Sequence, residues 1–284
     1  MSISMNSQSA LHEVESRCTQ ERPPRCQSLC PLGLDARAFL GHAAEGRWSD
    51  ARKQLERYLP LPGLLARICD HPCEQGCLRG DLGGAVNLHG LEIFCTEHLG
   101  VQTRSLPMPR KQKRIAVIGA GLAGLVCAWD LAGKGYPLTV FHEGEPQAQL
   151  LSCWPVLAGA GAAALDAEWE ALGRRGVRFE QARTDAACLQ QAAGEYDGVL
   201  LDLAPPESGM DAQILHWRDN ICCAGWASVT PTGHRFASAS RQAGQGRSAA
   251  RTLERLVAGV SLTAARDTDE RSLFTELDGI APVE

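Results

Sequence analysis

Apolar and polar positions follow two rhythms along the chain, and the change falls near residue 114. In "LDARAFLGHAAEGRWSDARKQLERYLPL" apolar residues recur at spacings of three and four. Ala38, Leu40, Ala43 and Ala44 mark the apolar face of one expected helix; Trp48, Ala51, Leu55 and Leu59 mark that of a second. "GLEIFCTEHLG" reads as a further short helix. Beyond 114 the apolar residues gather into short runs. "RIAVIG", "LTVF", "VRF", "YDGVLLDL" and "NICCAGW" have the length and bulk of buried strands. Between them lie a helix after a glycine-rich turn and an amphipathic helix, "AAALDAEWEALGRRG", with Leu165, Trp169 and Leu172 on one face. "FASASRQAGQGRSAARTLERLVAG" is an expected closing helix. Strands alternating with helices imply a parallel, doubly wound sheet.

These rhythms divide the chain into a loose polar start (1–17), a helical domain (18–99), a Pro- and Lys/Arg-bearing linker (100–113), an α/β domain (114–260) and an acidic, aperiodic tail (261–284). The fold class expected is α/β, with an all-α domain ahead of a Rossmann-like one. The net charge of −5 gives no reason to expect a nucleic-acid partner. "MSISMNSQSALHEVES" lacks the basic start and apolar core of a secretory signal, and the longest apolar run, "IAVIGAGLAGLVCAW", is too short to span a bilayer. The expectation is a cytoplasmic protein without membrane insertion.

That expectation bears on the 12 cysteines, because disulfides are disfavoured in a reducing compartment. Six of them form two triplets: Cys18, Cys26 and Cys30, then Cys69, Cys73 and Cys77 in "ICDHPCEQGCLR". Structural zinc prefers closely spaced pairs that total four per ion, and triplets do not divide that way. The Cys-x-x-Cys of a thioredoxin-type site is absent from these triplets. Iron–sulfur clusters, held by thiolates, fit better, and Cys26-x3-Cys30-Pro31 matches the close of a bacterial two-cluster ferredoxin run. The remaining cysteines, among them Cys127, Cys153, Cys188, Cys222 and Cys223, read as small apolar residues. His12, His42, His71, His89 and His98 show no paired metal spacing.

"CQSLCPLGLDARAFLGHAAEGRWSDARKQLE", "ICDHPCEQGCLRG", "VNLHGLEIF" and "KRIAVIGAGLAGLVCAWDLAGKGYPLTVF" together resemble the glutamate synthase small subunit and the corresponding N-terminal part of dihydropyrimidine dehydrogenase. The resemblance covers residues 18–143 closely and 195–260 loosely. It implies two iron–sulfur clusters of the [4Fe-4S] kind, an FAD domain and crossed ligation. One cluster would take Cys30, Cys69 and Cys73 with Glu92, a residue that otherwise reads as a helix-surface carboxylate. The other would take Cys18, Cys26 and Cys77. That family's first block carries a fourth cysteine where this chain has Glu21, so a carboxylate ligand, Cys95 or a three-iron cluster stay open for the second cluster.

"VIGAGLAGL" sets Gly119, Gly121 and Gly124 between a strand and a helix. The first permits the tight turn, the second lets backbone approach a pyrophosphate, and the third allows close helix–strand packing. The helix N-terminus then offers unpaired N–H groups to phosphate. In the resembling family the first such fingerprint binds FAD and a second binds NADPH. Here "GAGAAALD" is the sole rival and follows no clear strand, so the NADPH domain is expected to be missing. The ribose-binding acid of that family is replaced by His142 followed by Glu143, and its late Gly-Asp by Gly225-Trp226. An imidazole can accept one ribose hydroxyl bond, and an indole accepts none but can stack on a ring. The function expected is an electron-transfer iron–sulfur flavoprotein subunit. Its expected partner is a larger redox enzyme: a hydrogenase, a formate dehydrogenase or a glutamate-synthase-like subunit. The rivals are an iron–sulfur adaptor whose nucleotide fold is empty, and a self-sufficient NAD(P)H oxidoreductase.

Overall fold

The computed structural model describes residues 24–263 apart from 78, 81–82, 102–107, 160, 203–210, 212–213, 226–227, 230–234 and 237. Cys18, Glu21 and Trp226 lie outside the described residues. The N-terminal elements are helices: α1 (Arg25–Leu29), α2 (Ala36–Ala44), α3 (Trp48–Tyr58), α4 (Pro62–Ile68), α5 (Pro72–Gln75) and α6 (Leu88–His98). Asp35 caps α2 and Asn87 caps α6, each accepting a backbone N–H of the first turn. Proline opens α4 and α5, where its missing N–H costs nothing. In α3 the buried side is Ala51, Arg52 and Leu55, as the apolar spacing implies. In α2 the expected face is corrected: Ala36 and Phe39 are buried, while Ala44 is exposed. Phe39 supplies more apolar area than the alanines and so decides which side turns inward.

A six-stranded sheet follows, built from β1 (Ile115–Ile118), β2 (Leu138–His142), β3 (Val177–Gln181), β4 (Gly198–Leu201), β5 (His216–Arg218) and β6 (Ile221–Cys223). Its order is β3-β2-β1-β4-β6-β5. The pairs among the first five strands in that order are parallel, but β5 runs antiparallel to β6 as an edge. The sheet is therefore mixed rather than wholly parallel. A two-residue link between β5 and β6 leaves room only for a hairpin. β4 pairs directly with β6 in parallel register, Val199 opposite Ile221. Two-residue strands β7 (Ser228–Val229) and β8 (Arg235–Phe236) form a separate ribbon.

Alternate strand residues face opposite layers. Ile115, Val117, Leu200 and Cys222 join one core with α7 (Leu122–Ala132), α9 (Ala162–Arg174) and α11 (Ala239–Val257). Ala116, Ile118, Val199 and Ile221 join another with α10 (Ala186–Glu195). Covered faces explain why these strands read as continuous apolar runs. A short α8 (Ala148–Cys153) and a 3-10 turn (Pro155–Ala158) lie between β2 and α9.

The larger core runs without a break from Leu32, Phe39, Leu55 and Leu64 in the helical part to Leu125, Leu172 and Leu253 beside the sheet. Polar ties cross the same boundary. Gly63 N–H donates to the buried Glu168 carboxylate at 2.6 Å. Arg247 on α11 donates to the Leu32 and Tyr58 carbonyls at 3.1 and 2.8 Å, and pairs with Asp130 at 3.0 Å. The helical part thus sits on the α7/α11 layer of the sheet. No helix among the described residues is long and apolar enough to cross a membrane.

Candidate functional site

The turn between α4 and α5 is short, because Cys69 ends one helix and Pro72 starts the next. His71 takes a left-handed conformation (φ 48°) to make that reversal, which is unusual for a non-glycine residue. Asp70 fastens it: its carboxylate accepts from Ser240 N–H at 2.8 Å, Ser240 Oγ–H at 2.9 Å and Ser238 Oγ–H at 3.0 Å, at the N-terminus of α11. Cys69 and Cys73 are thereby presented beside α1 and α6. Cys26, Cys30, Cys69, Cys73 and Glu92 line one cavity with Pro31, Leu34 and Leu65.

Electrostatics divides these groups. Burial pushes the Cys69 thiol far up, and the nearby Glu92 and Cys30 add to the effect. Burial pushes Cys73 up to about 12, again with Glu92 and Cys30 as the next causes. Burial also raises Cys30, helped by Glu92. Cys26 is raised by burial, and the cysteine acting on it is Cys77. Cys30, Cys69, Cys73 and Glu92 thus act on one another, and Cys26, which lines the same cavity, has Cys77 as its neighbouring thiol. Glu92 is buried at 4% exposure, so it is no helix-surface carboxylate. Cys95, one turn further along α6, is buried with Arg52 and Glu92 as its charged neighbours.

The donor set suits iron. Thiols crowded beside a carboxylate in an apolar pocket resist ionisation unless a cation balances them, and a metal-bound thiol is deprotonated outright. No group of three or more His, Cys, Asp or Glu side chains among the described residues is placed to hold a single metal ion. A four-iron cluster takes each ligand on a separate iron and so spreads them apart.

Sequence spacing missed the partners of Glu92. His71 Nε2 lies 3.5 Å from Glu92 Oε2 and 3.2 Å from His89 Nδ1. Burial lowers the His71 pKa, but Glu92 more than offsets it, and the net shift is upward. The two histidines are 18 residues apart, so no local spacing announces the pair.

The glycine turn lies between β1 and α7. Gly119 is left-handed (φ 102°), which the tight turn requires. The turn already holds a side chain, the carboxyl group of Asp202 just past the end of β4, 1% exposed. Gly124 N–H donates to Asp202 Oδ2 at 2.8 Å, and Gly121 N–H faces the same carboxyl. Burial lifts this carboxyl to about 7, the two amides working in the opposite direction. The Gly124 N–H thus points at a side-chain oxygen, as the N–H groups of a helix N-terminus do toward an anion. Gly225 N–H donates to Gln245 Oε1 at 3.1 Å behind the same carboxylate.

His142 ends β2, buried, and its Nδ1–H donates to the Gly144 carbonyl at 3.2 Å. In the neutral ring Nε2 is then left as an acceptor, the role that a ribose hydroxyl needs. Glu143 accepts from Thr184 N–H at 2.7 Å and Thr184 Oγ–H at 3.2 Å, which ties its carboxylate to the end of β3. Cys127, Cys222 and Cys223 are buried within the layers around the sheet, whereas Cys153 is exposed.

Residues 1–103 match the family described as dihydropyrimidine dehydrogenase domain II, 4Fe-4S cluster, and residues 114–193 match the family described as glucose inhibited division protein A. The NADPH-Fe(3+) oxidoreductase subunit beta of Geobacter sulfurreducens is 34% identical over 120 residues, 41% of this chain and 18% of that one. The NADP(+)-dependent formate dehydrogenase subunit beta of Moorella thermoacetica is 31% identical over 142 residues, 41% of this chain and 20% of its own length. The NADPH glutamate synthase small chain of Mycobacterium tuberculosis is 29% identical over 137 residues, 47% of this chain and 28% of its own. The alignments thus span less than a third of these relatives. In motifs and in these matches, the chain resembles the glutamate synthase small subunit and the N-terminal part of dihydropyrimidine dehydrogenase: a 4Fe-4S cluster domain followed by an FAD-type domain.

Proposed function

We propose that the chain is an electron-transfer subunit of a larger redox complex, working in the reducing cytoplasm. The observation that carries this reading is the gathering of Cys26, Cys30, Cys69, Cys73 and Glu92 about one pocket, with Cys77 beside Cys26. Cys30, Cys69, Cys73 and Glu92 would hold one cluster; Cys26, Cys77 and Cys18 would hold the other. Gly119, Gly121 and Gly124 would seat a flavin dinucleotide's phosphates, with His142 at its ribose. When bound, a flavin holds two electrons and iron–sulfur clusters pass them singly. The chain's own part is to exclude water from the thiolates, fix their spacing and present the cluster-bearing helices beside the sheet. Only about twenty residues join β4 (ending at Leu201) to β6 (starting at Ile221), too few for a second nucleotide domain, and hydride exchange with NADH or NADPH falls to another subunit. A hydrogenase, a formate dehydrogenase or a glutamate-synthase-like large subunit would be that partner.

The test mixes the isolated protein with NADH or NADPH and a dye acceptor, then repeats with the co-purifying partner. Dye reduction only with the partner supports the proposal. Rapid reduction by the lone chain contradicts it and favours a self-sufficient oxidoreductase. A second reading, an iron–sulfur adaptor whose nucleotide fold is empty, draws on one observation: the phosphate turn is occupied by Asp202.

A further inference from the structure

The occupant of the glycine turn is enclosed from several directions. Gly124 N–H and Gly121 N–H hold the Asp202 carboxylate, while Ala120 N–H donates to Gln149 Oε1 at 2.9 Å. Gln149 Nε2–H in turn donates to the Asp202 carbonyl at 3.3 Å. The Ala120 and Gly124 N–H groups of the turn are thus taken by side chains from two other elements, and Gly121 N–H faces the same Asp202 carboxyl. The surrounding glycines leave room for the carboxylate and little more. A Cβ on Gly121 would lie 2.7 Å from Asp202 Oδ2, one on Gly124 2.5 Å from it, and one on Gly225 1.7 Å from Oδ1. The described contacts to this carboxylate are amides, and none is an Arg or Lys side chain. A phosphate cannot share the Gly124 N–H with this group, and wherever the carboxyl is ionised two anions would meet in a water-poor site, which is costly.

We infer that Asp202, steadied by Gln149, is an internal competitor for the phosphate seat, so that dinucleotide binds only as the carboxylate gives way. This rests on the flavin reading above and deepens it: Asp202 sets how tightly the cofactor is held. A binding-competent state populated one part in ten or less weakens apparent affinity by that factor. Removing the carboxylate returns it.

The experiment titrates FAD, and separately ADP, into wild type, Asp202→Ala and Asp202→Asn, all stripped of flavin with the clusters retained. Flavin fluorescence and calorimetry give affinity, and circular dichroism with iron content reports folding. Asp202→Ala is expected to bind both ligands about tenfold or more tightly than wild type. Asp202→Asn, which keeps the volume and loses the charge, should gain severalfold and decides the matter if the alanine variant misfolds. Tight FAD in wild type with unchanged or weaker affinity in a folded variant overturns the competitor and leaves the flavin reading standing. No flavin binding in any of the three, with iron intact, overturns both. Binding confined to the variants supports the competitor and explains an empty native fold.

Discussion

Replacing Asp70 by Ala should loosen the cluster loop from the sheet. The Asp70 residue is exposed, yet its carboxylate takes three hydrogen bonds, from Ser240 N–H, Ser240 Oγ–H and Ser238 Oγ–H, and stands at the N-terminus of α11. Hydrogen bonds to a charged group contribute about 1.5–3 kcal/mol net. A negative charge at a helix N-terminus adds roughly 0.3–1 kcal/mol. Since the three bonds share one charge they do not simply add, and a loss of about 2–4 kcal/mol follows. Asp70→Asn keeps an acceptor for Ser240 N–H and loses the charge, so about 1 kcal/mol is expected. Burial works to raise the Asp70 pKa, but the bonds from Ser240 and Ser238 outweigh it, and the carboxyl is held below its ordinary range. Its contribution is therefore complete above the unfolded pKa and fades as pH falls through the lower folded one. Anaerobic urea unfolding at neutral pH measures the loss, and a double-mutant cycle with Ser240→Ala isolates the pair. The left-handed turn at His71 should lose its anchor too, so the paramagnetic resonance signal of the Cys69 cluster should broaden. An alanine variant within about 0.5 kcal/mol of wild type, with an unchanged signal, would refute the reasoning.

Two further outcomes are expected. In flavin-free protein the Asp202 carboxyl sits at about 7 against an ordinary 3.8, so folding binds a proton between those values; stability should fall by roughly 4 kcal/mol as pH rises from 4 to 7, and Asp202→Asn should flatten that slope in urea melts. Gly246→Ala should lower the melting temperature, despite alanine's better helix propensity, because its Cβ would meet the Ala123 carbonyl at 2.3 Å where α11 crosses α7; a raised melting temperature would mean the helices part easily.

Strands and the glycine turn were legible because their signals are local. "RIAVIG" before Gly119-x-Gly121 states strand, turn and helix within a dozen residues. Leu165, Trp169 and Leu172 marked α9 for the same reason, and Leu165 and Leu172 are fully packed. α10 went unread because "AACLQQAAGE" offers a weak stripe, with Ala192 its one buried residue. α4 and α5 were hidden by their brevity, although Pro62 and Pro72 are start signals. β5 is three residues long and half exposed, so no alternation could form. At the site, the cysteine triplets were visible but their fastening was not. Asp70 meets Ser240 across 170 positions, and Asp202 reaches Gly124 across 78, so only the fold brings them together.

The central claim is that two separate cysteine groups hold two iron–sulfur clusters. Iron and sulfide analysis with paramagnetic resonance, on anaerobically purified wild type and the Cys73→Ser and Cys26→Ser variants, tests it most directly. The account predicts a brown protein with about seven to eight irons, one signal lost in Cys73→Ser and the other in Cys26→Ser. A colourless or zinc-loaded protein, or folded variants that both lose the same signal while the other persists, would contradict it.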